Sequence, residues 1–455
     1  MASILKRKSY DMFTKSAIPR LFQKYAPHLD AESYVAAANV FPMRVNNHVA
    51  EDLIDWNNVP DDPMFQLAFP QPAMLDRDDM EKIKTAVRNG QPKPAIQQLA
   101  EEVRKAMNPH PANQKTENVP RLDGIELPGM QHKYRETVLF FPSQGQFCHA
   151  FCTYCFRWAQ FTSVGSSQTF KSSDGAQLRD YISRTPQVRD VLFTGGDPMV
   201  MPPEHLASYI DPLIASDGSA PAHLDTIRIG SKSLAWWPYK YISDPEAKDT
   251  LKIFERVVES GRQLAFQAHF SHPRELEHPA AQEAIRHIRM TGAQIRGQAP
   301  LIRHVNDDPK LWRDMWNLQV KLGVVPYYMF VERDTGASHY WNVPLGRAHD
   351  IFSRAYAGLS GTARTVRGPS MSASPGKVGV IGVENVCGED VFVLKFWQAR
   401  DPSWIGRVFF AKYDPEATWL SNLVPAFGHK EFFYEERYRE LVKKTGEGSS
   451  GQLLD

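Results

Sequence analysis

The chain is poor in cysteine, nearly neutral, and free of long apolar runs, and each shortage removes a class of protein. Four cysteines in 455 residues do not make the disulfide framework of a small secreted domain. A formal net charge of +1 gives no global field to recruit nucleic acid or an anionic membrane, so neither is expected as a partner. The longest apolar runs, such as Val138–Pro142, are strand-sized and far short of the roughly 18 residues a membrane helix needs. With 42% hydrophobic and 23% charged residues, the rest reads as an ordinary globular chain. The expected location is the cytoplasm. A mitochondrial presequence is the second reading of the basic start, MASILKRKSYDMFTKSAIPRLFQKY. Lysine rather than arginine dominates there and the apolar face is weak, so a solvated basic helix is the plainer reading.

Three regions separate along the chain: 1–130, 131–385 and 386–455. The first reads as helices broken by Pro-rich connections, with one helix near Asp76–Asn89 stopping at Gly90 and another starting at Pro94. A linker, PHPANQKTENVPRLDGIELPG, follows over Pro109–Gly129. From about residue 134, strands alternate with helices. Strands are expected at Thr137–Pro142, Asp190–Thr194, Thr226–Gly230, Leu264–His269, Gln294–Gln298 and Val324–Phe330. Helices are expected near 175–185, 203–215, 247–260, 279–292, 308–322 and 347–359. Six such units predict a parallel α/β sheet, either curved into a partial barrel or doubly wound, with function at the C-terminal ends of the strands. After residue 385 the chain is crowded with aromatics, Trp404, Phe409, Phe410, Tyr413, Trp419, Phe427, Phe432, Phe433, Tyr434 and Tyr438. These must be buried against the barrel or against another subunit, so a homo-oligomer is expected.

Three of the four cysteines lie together in FCHAFCTYCFR, at Cys148, Cys152 and Cys155. A loop at the C-terminal end of a strand can wrap three thiolates around one 4Fe–4S cluster, leaving one iron open for a small molecule to chelate. Zinc is the rival, but a structural zinc wants four ligands, and His149 is badly placed inside the loop to be the fourth. Inert buried cysteines are the third reading. One βα unit later comes DVLFTGGDP (190–198), where two glycines permit close backbone approach and Asp197 can receive an ammonium.

The cysteine spacing and the glycine pair resemble the radical S-adenosylmethionine (SAM) superfamily. More narrowly, CFRW, DVLFTGGDP, IRIGSKS (227–233), AHFSHP (268–273), GQAPLIRHVND (297–307) and PYYMF (326–330) follow the order seen in lysine 2,3-aminomutases. The resemblance covers about residues 40–385 and implies a partial (β/α)6 barrel, a 4Fe–4S cluster, SAM and pyridoxal phosphate (PLP). It implies SAM contacts at Tyr154, Gly195, Gly196, Asp197, Ser231, His269 and Gln298. It implies that Lys377, in SASPGKVGV, is the catalytic lysine that carries PLP, because moving an amino group by radical chemistry needs a π bond to accept the radical. Lys133, Tyr134 and Phe330 would surround that cofactor. Thr137 stands where the family has a second phosphate-binding arginine, and Arg135 is the nearest replacement.

Arg157 matches the family's clamp for a substrate α-carboxylate. Lysine-specific members hold the substrate ammonium with two aspartates. At matching spacing this chain has Arg333 and Ser370, although a one-residue gap would bring Asp334 into the first position. A cation at Arg333 favours an acidic or polar side chain over lysine. The family's C-terminal zinc cysteines are absent, leaving Cys387 alone. The activity implied is a 2,3-aminomutase acting on a free amino acid, with an electron-donating reductase, flavodoxin or ferredoxin as partner. The rivals are a PLP-independent radical enzyme of the epimerase or dehydrogenase kind and a cluster-binding relative without catalysis.

Overall fold

The computed structural model describes residues 8–108, 117–162 and 170–446. Residues 1–7 of the basic N-terminus and 109–116 of the expected linker lie outside the described residues. The six expected strands form as β1 (Thr137–Phe140), β2 (Asp190–Phe193), β3 (Thr226–Ser231), β4 (Gln263–His269), β5 (Gln294–Leu301) and β6 (Val324–Val331). The helices between and after them are α1 (Gly175–Ser183), α2 (Pro203–Ile214), α3 (Ala247–Glu259), α4 (Pro279–Met290), α5 (Pro309–Leu322) and α6 (Leu345–Ala357). β1 to β6 lie side by side in chain order, all parallel, with Thr137 opposite Asp190 and Asp190 opposite Thr226. This is the partial (β/α)6 barrel.

Local chemistry explains the units. In α5 the Asp308 side chain accepts a hydrogen bond from the Lys310 N–H at 2.8 Å, and Pro309 takes the first helical position. Trp312, Met315, Trp316 and Gln319 form the buried stripe, and Gly323 ends the helix at φ 78°. The strands carry buried apolar pairs such as Val191 and Phe193 on β2 and Ile227 and Ile229 on β3, and these join the helix faces in one core.

The sheet does not stop at β6. β7 (Arg367–Ser372) adds in parallel, and β8 (Gly376–Val386), β9 (Glu389–Ala399) and β10 (Val408–Lys412) follow antiparallel. Met130–Tyr134 pairs antiparallel with β1 at the opposite edge, completing 11 strands. The boundary expected at 385/386 therefore falls inside the β8–β9 hairpin. The aromatic stretch supplies much of its own covering: Trp404, Phe409, Trp419, Phe432 and Tyr434 form one core with β8, β9, Val331 and Leu345. Tyr413 and Phe427 stay exposed.

The N-terminal region packs its own core and extends it onto the cysteine loop through Ala150 and Trp158, and onto Trp236 just after β3. Its short strand Arg44–Asn46 receives the Phe151 N–H on the Arg44 carbonyl at 2.8 Å, and the Leu67 carbonyl receives the Thr153 N–H at 3.0 Å. The N-terminal helices are thus the outer wall of the loop. Among the described residues, no helix is long and apolar enough to cross a membrane.

Candidate active site

The loop after β1 brings Cys148, Cys152 and Cys155 close enough that their charges disfavour one another. All three thiols are pushed up, first by burial; Asp197, Cys155 and Cys152 add to this for Cys148 and Cys152 for Cys155, whereas Lys232 and Trp236 pull Cys152 the other way. A cluster reverses that tendency, because iron takes thiolates. Three soft, buried sulfur donors from one loop fit a 4Fe–4S cluster with an open iron better than a closed four-ligand zinc site. His149, the remaining candidate ligand, is held neutral at neutral pH, its pKa lowered to about 3 by burial.

The glycine pair faces the cysteine loop. A Cβ on Gly196 would lie 2.4 Å from the Phe147 carbonyl oxygen, and one on Gly195 2.6 Å from Gln146 Nε2. What the glycines admit closely is the cysteine loop itself. Asp197 follows at the end of the same strand, β2. Its carboxylate accepts from Ser231 Oγ (2.7 and 2.9 Å), the Met199 N–H (2.9 Å) and the Lys232 N–H (3.0 Å), and burial raises its pKa to about 6. Asp197 and Ser231, both expected at SAM, are hydrogen-bonded to each other. The reason is topological: β2 and β3 are parallel neighbours, so the turn after one folds over the end of the other. Tyr154 sits in the loop with its hydroxyl 3.3 Å from Ser271 Oγ. His269 and Gln298, paired across β4 and β5, join Nε2 to Nε2 at 2.9 Å, and burial lowers the imidazole pKa to about 3. The uncharged ring then accepts the amide proton.

The interior beside this loop is rich in cations. Lys377 Nζ lies 4.2 Å from the Tyr328 ring centroid, 5.5 Å from that of Phe330 and 6.0 Å from that of Tyr134. Burial, then Arg228 and Arg367, lower its pKa to about 7. Lys133 donates to the Ala373 carbonyl across the barrel opening, and its pKa falls well below the usual lysine value through burial, Arg400, Arg333 and Lys377. Arg157 donates from Nη1 to the Gly195 carbonyl (2.6 Å) and Thr194 Oγ1 (3.1 Å), while its buried Nε has no partner among the described residues. Arg333 stacks 4.4 Å over the Phe156 ring with Nη1 buried and unpartnered.

Arg333 acts electrostatically on Lys133, Lys377 and Arg157. The Asp334 backbone carbonyl is instead tied to Asn108 at 2.6 Å, and its carboxyl pKa is raised by burial. Ser370, at the second family position, is buried with a partnerless hydroxyl. Thr137 donates to Asp190 at 3.0 Å, and Arg228 ion-pairs with that aspartate at 2.6 Å.

Two residues were missed from sequence. Tyr328 stacks on Phe330 at 5.0 Å and lies closer to Lys377 than Phe330 does. Glu332 is buried beside Arg333 with its carboxyl pKa raised to about 8 by desolvation. The only signal for either was position, since both flank matched motif residues on β6 and just after it. The aromatic faces, the lysine with lowered pKa and the surrounding cations suit PLP chemically.

A parallel α/β barrel with a three-thiol loop at the C-terminal end of its first strand defines the radical SAM class, with its 4Fe–4S cluster. Comparison with known proteins agrees. The chain is 30% identical over 299 residues to a provisionally named L-lysine 2,3-aminomutase of Aquifex aeolicus, covering 66% of this chain and 75% of that one. It is 24% identical to the L-lysine 2,3-aminomutase of Haemophilus influenzae, over 74% and 85% of the two chains. With the Clostridium subterminale enzyme it shares 30% over 52% of each chain, so it spans about half of that relative's length. No protein-family model matches. A radical SAM methyltransferase from Sphaerobacter thermophilus superposes with a TM-score of 0.37 at 12% identity, covering 65% of this chain and 94% of that one, too slight a likeness to argue from. The chain belongs to the lysine 2,3-aminomutase-like family of radical SAM enzymes.

Proposed function

We propose that this enzyme moves the amino group of an α-amino acid from the 2- to the 3-position, with PLP on Lys377, and that its substrate has an acidic or neutral polar side chain rather than that of lysine. The supporting observation is an uncompensated group of cations. Lys133, Lys377, Arg157 and Arg333 have no ion-pair partner among the described residues, whereas nearby Arg228 and Arg400 pair with Asp190 and Glu117. Partly buried cations without counter-charges are costly, and bound anions relieve that cost. A phosphate, an α-carboxylate and an anionic or polar side chain would do so.

In this reading Arg157 holds the α-carboxylate, its Nη1 braced by β2 and its Nε free. Lys377, its pKa lowered to about 7, is about half free base near pH 7, so its amine is nucleophilic without a separate base. Tyr328, Phe330 and Tyr134 supply flat faces that orient a ring and exclude water. Cys148, Cys152 and Cys155 hold the cluster, with Tyr154, His269 and Gln298 at the SAM side. SAM bound at the cluster supplies a 5′-deoxyadenosyl radical, and PLP the π system across which an amino nitrogen can shift.

The test joins two measurements. Borohydride reduction of PLP-loaded enzyme followed by peptide mapping should put the pyridoxyl label on Lys377. Product analysis across lysine, arginine, glutamate, aspartate, glutamine and apolar amino acids should favour an acidic or polar substrate. A label elsewhere, or none, favours a PLP-independent radical enzyme. Lysine as best substrate overturns the specificity.

A further inference from the structure

Trp236 touches a cluster ligand directly. It closes the short helix Ser233–Trp236 just after β3, is 1% exposed, and donates its indole N–H to Cys152 Sγ at 3.3 Å. Its backbone is fixed at both ends: its N–H reaches the Lys232 carbonyl at 2.8 Å, and its carbonyl accepts from Asn46 Nδ2 at 2.8 Å. Behind the ring, Lys232 Nζ lies 4.6 Å from the indole centroid. That ammonium is anchored by Glu275 Oε1 at 2.7 Å and Ser271 Oγ at 3.1 Å, and Glu275 Oε2 accepts the Ser271 N–H at 2.5 Å.

The arrangement is more specific than packing requires. Any large apolar side chain could fill a space bounded by Ala150, Trp158 and the N-terminal core. Indole differs from phenyl in offering one N–H donor and no acceptor. Here that donor points at sulfur. The ammonium over the ring face is a cation–π contact that draws electron density from the indole and strengthens the donor. Glu275, its ion-pair partner, opposes the direct pull of the ammonium on Cys152.

One-electron reduction adds a negative charge to a cluster, shared with its sulfur ligands. A donor aimed at a ligand sulfur stabilises the electron-rich state and raises the potential. We propose that Trp236 is a positioning residue that sets the reduction potential of the cluster through its N–H···S bond to Cys152, and so governs how readily the cluster accepts the electron that cleaves SAM. The inference rests on the reading of Cys148, Cys152 and Cys155 as cluster ligands and adds a residue that this reading did not assign.

Trp236→Phe removes the donor and keeps an aromatic ring. Wild-type and variant holoenzyme, reconstituted with iron and sulfide, are titrated against redox mediators while the reduced-cluster EPR signal is followed. The variant should show about a tenfold lower reduced-to-oxidised ratio at a fixed solution potential, which is about 59 mV for a one-electron couple. The wild type should also show an exchangeable-proton coupling to the cluster spin that disappears in the variant. Equal midpoints overturn the inference and reduce Trp236 to packing. A variant that fails to take up a cluster leaves the wild-type coupling to decide, and its absence overturns the inference. A wild type that forms no three-cysteine cluster overturns the underlying reading as well, so the two failures are distinguishable.

Discussion

Raising the pH from about 6 to about 9 should expose the Lys377 amine far earlier than that of an ordinary lysine. Burial, then Arg228 and Arg367, lower its pKa from 10.5 to about 7, with Asp190 pulling the other way. At about pH 8 an amine with that pKa is roughly nine-tenths free base, while an unperturbed lysine is about 0.3% free base, a difference of about 300-fold. Trace acylation of the PLP-free folded protein across this range, read by mass spectrometry of the Lys377 peptide, measures the midpoint directly. Arg367→Gln removes one of the opposing cations and should move the midpoint up.

Stability follows the same shift. The folded pKa lies below the unfolded one, so a protonated Lys377 costs the fold. That cost is complete below about pH 7 and is relieved as the pH rises towards 10.5, so stability increases across this window. The gap corresponds to at most ~5 kcal/mol. Water reaching a half-buried amine reduces this to about 2 kcal/mol. Lys377→Met should flatten that part of the pH dependence. A labelling midpoint near 10, or identical slopes in wild type and variant, would refute the argument.

Cys152→Ala should abolish reductive SAM cleavage while far-UV circular dichroism stays unchanged; normal 5′-deoxyadenosine formation would show that the loop does not hold the cluster. Gly196→Ala puts a Cβ 2.4 Å from the Phe147 carbonyl oxygen. The cysteine loop must move, and iron per chain after reconstitution should fall severalfold without global unfolding; full iron content would show that the approach is not tight. Arg333→Asp should shift preference towards cationic side chains. An ammonium about 4 Å from a guanidinium at an effective dielectric near 20 costs roughly 4 kcal/mol, a ceiling near a thousandfold. Unchanged selectivity would show that Arg333 does not face the substrate side chain.

By itself the sequence determined the elements that local chemistry encodes. Asp308–Pro309 starts α5 and Gly323 stops it, and strands separated by amphipathic helices admit little besides a parallel α/β sheet. The three-cysteine loop was legible for the same reason, since its candidate ligands lie within eight residues, Cys148 to Cys155. The tertiary structure decided whatever depends on neighbours distant in the chain. Asp197 meets Ser231 because β2 and β3 adjoin, a hydrogen bond that no local pattern announces. Gly195 and Gly196 serve the cysteine loop because the turn after β2 packs on the loop after β1. The C-terminal aromatics cover a hairpin that continues the barrel sheet. Trp236 reaches Cys152 across 84 positions of sequence. Periodicity and capping act over a few residues, whereas burial, pKa and hydrogen-bond commitment are set by contacts that exist only once the sheet has curved.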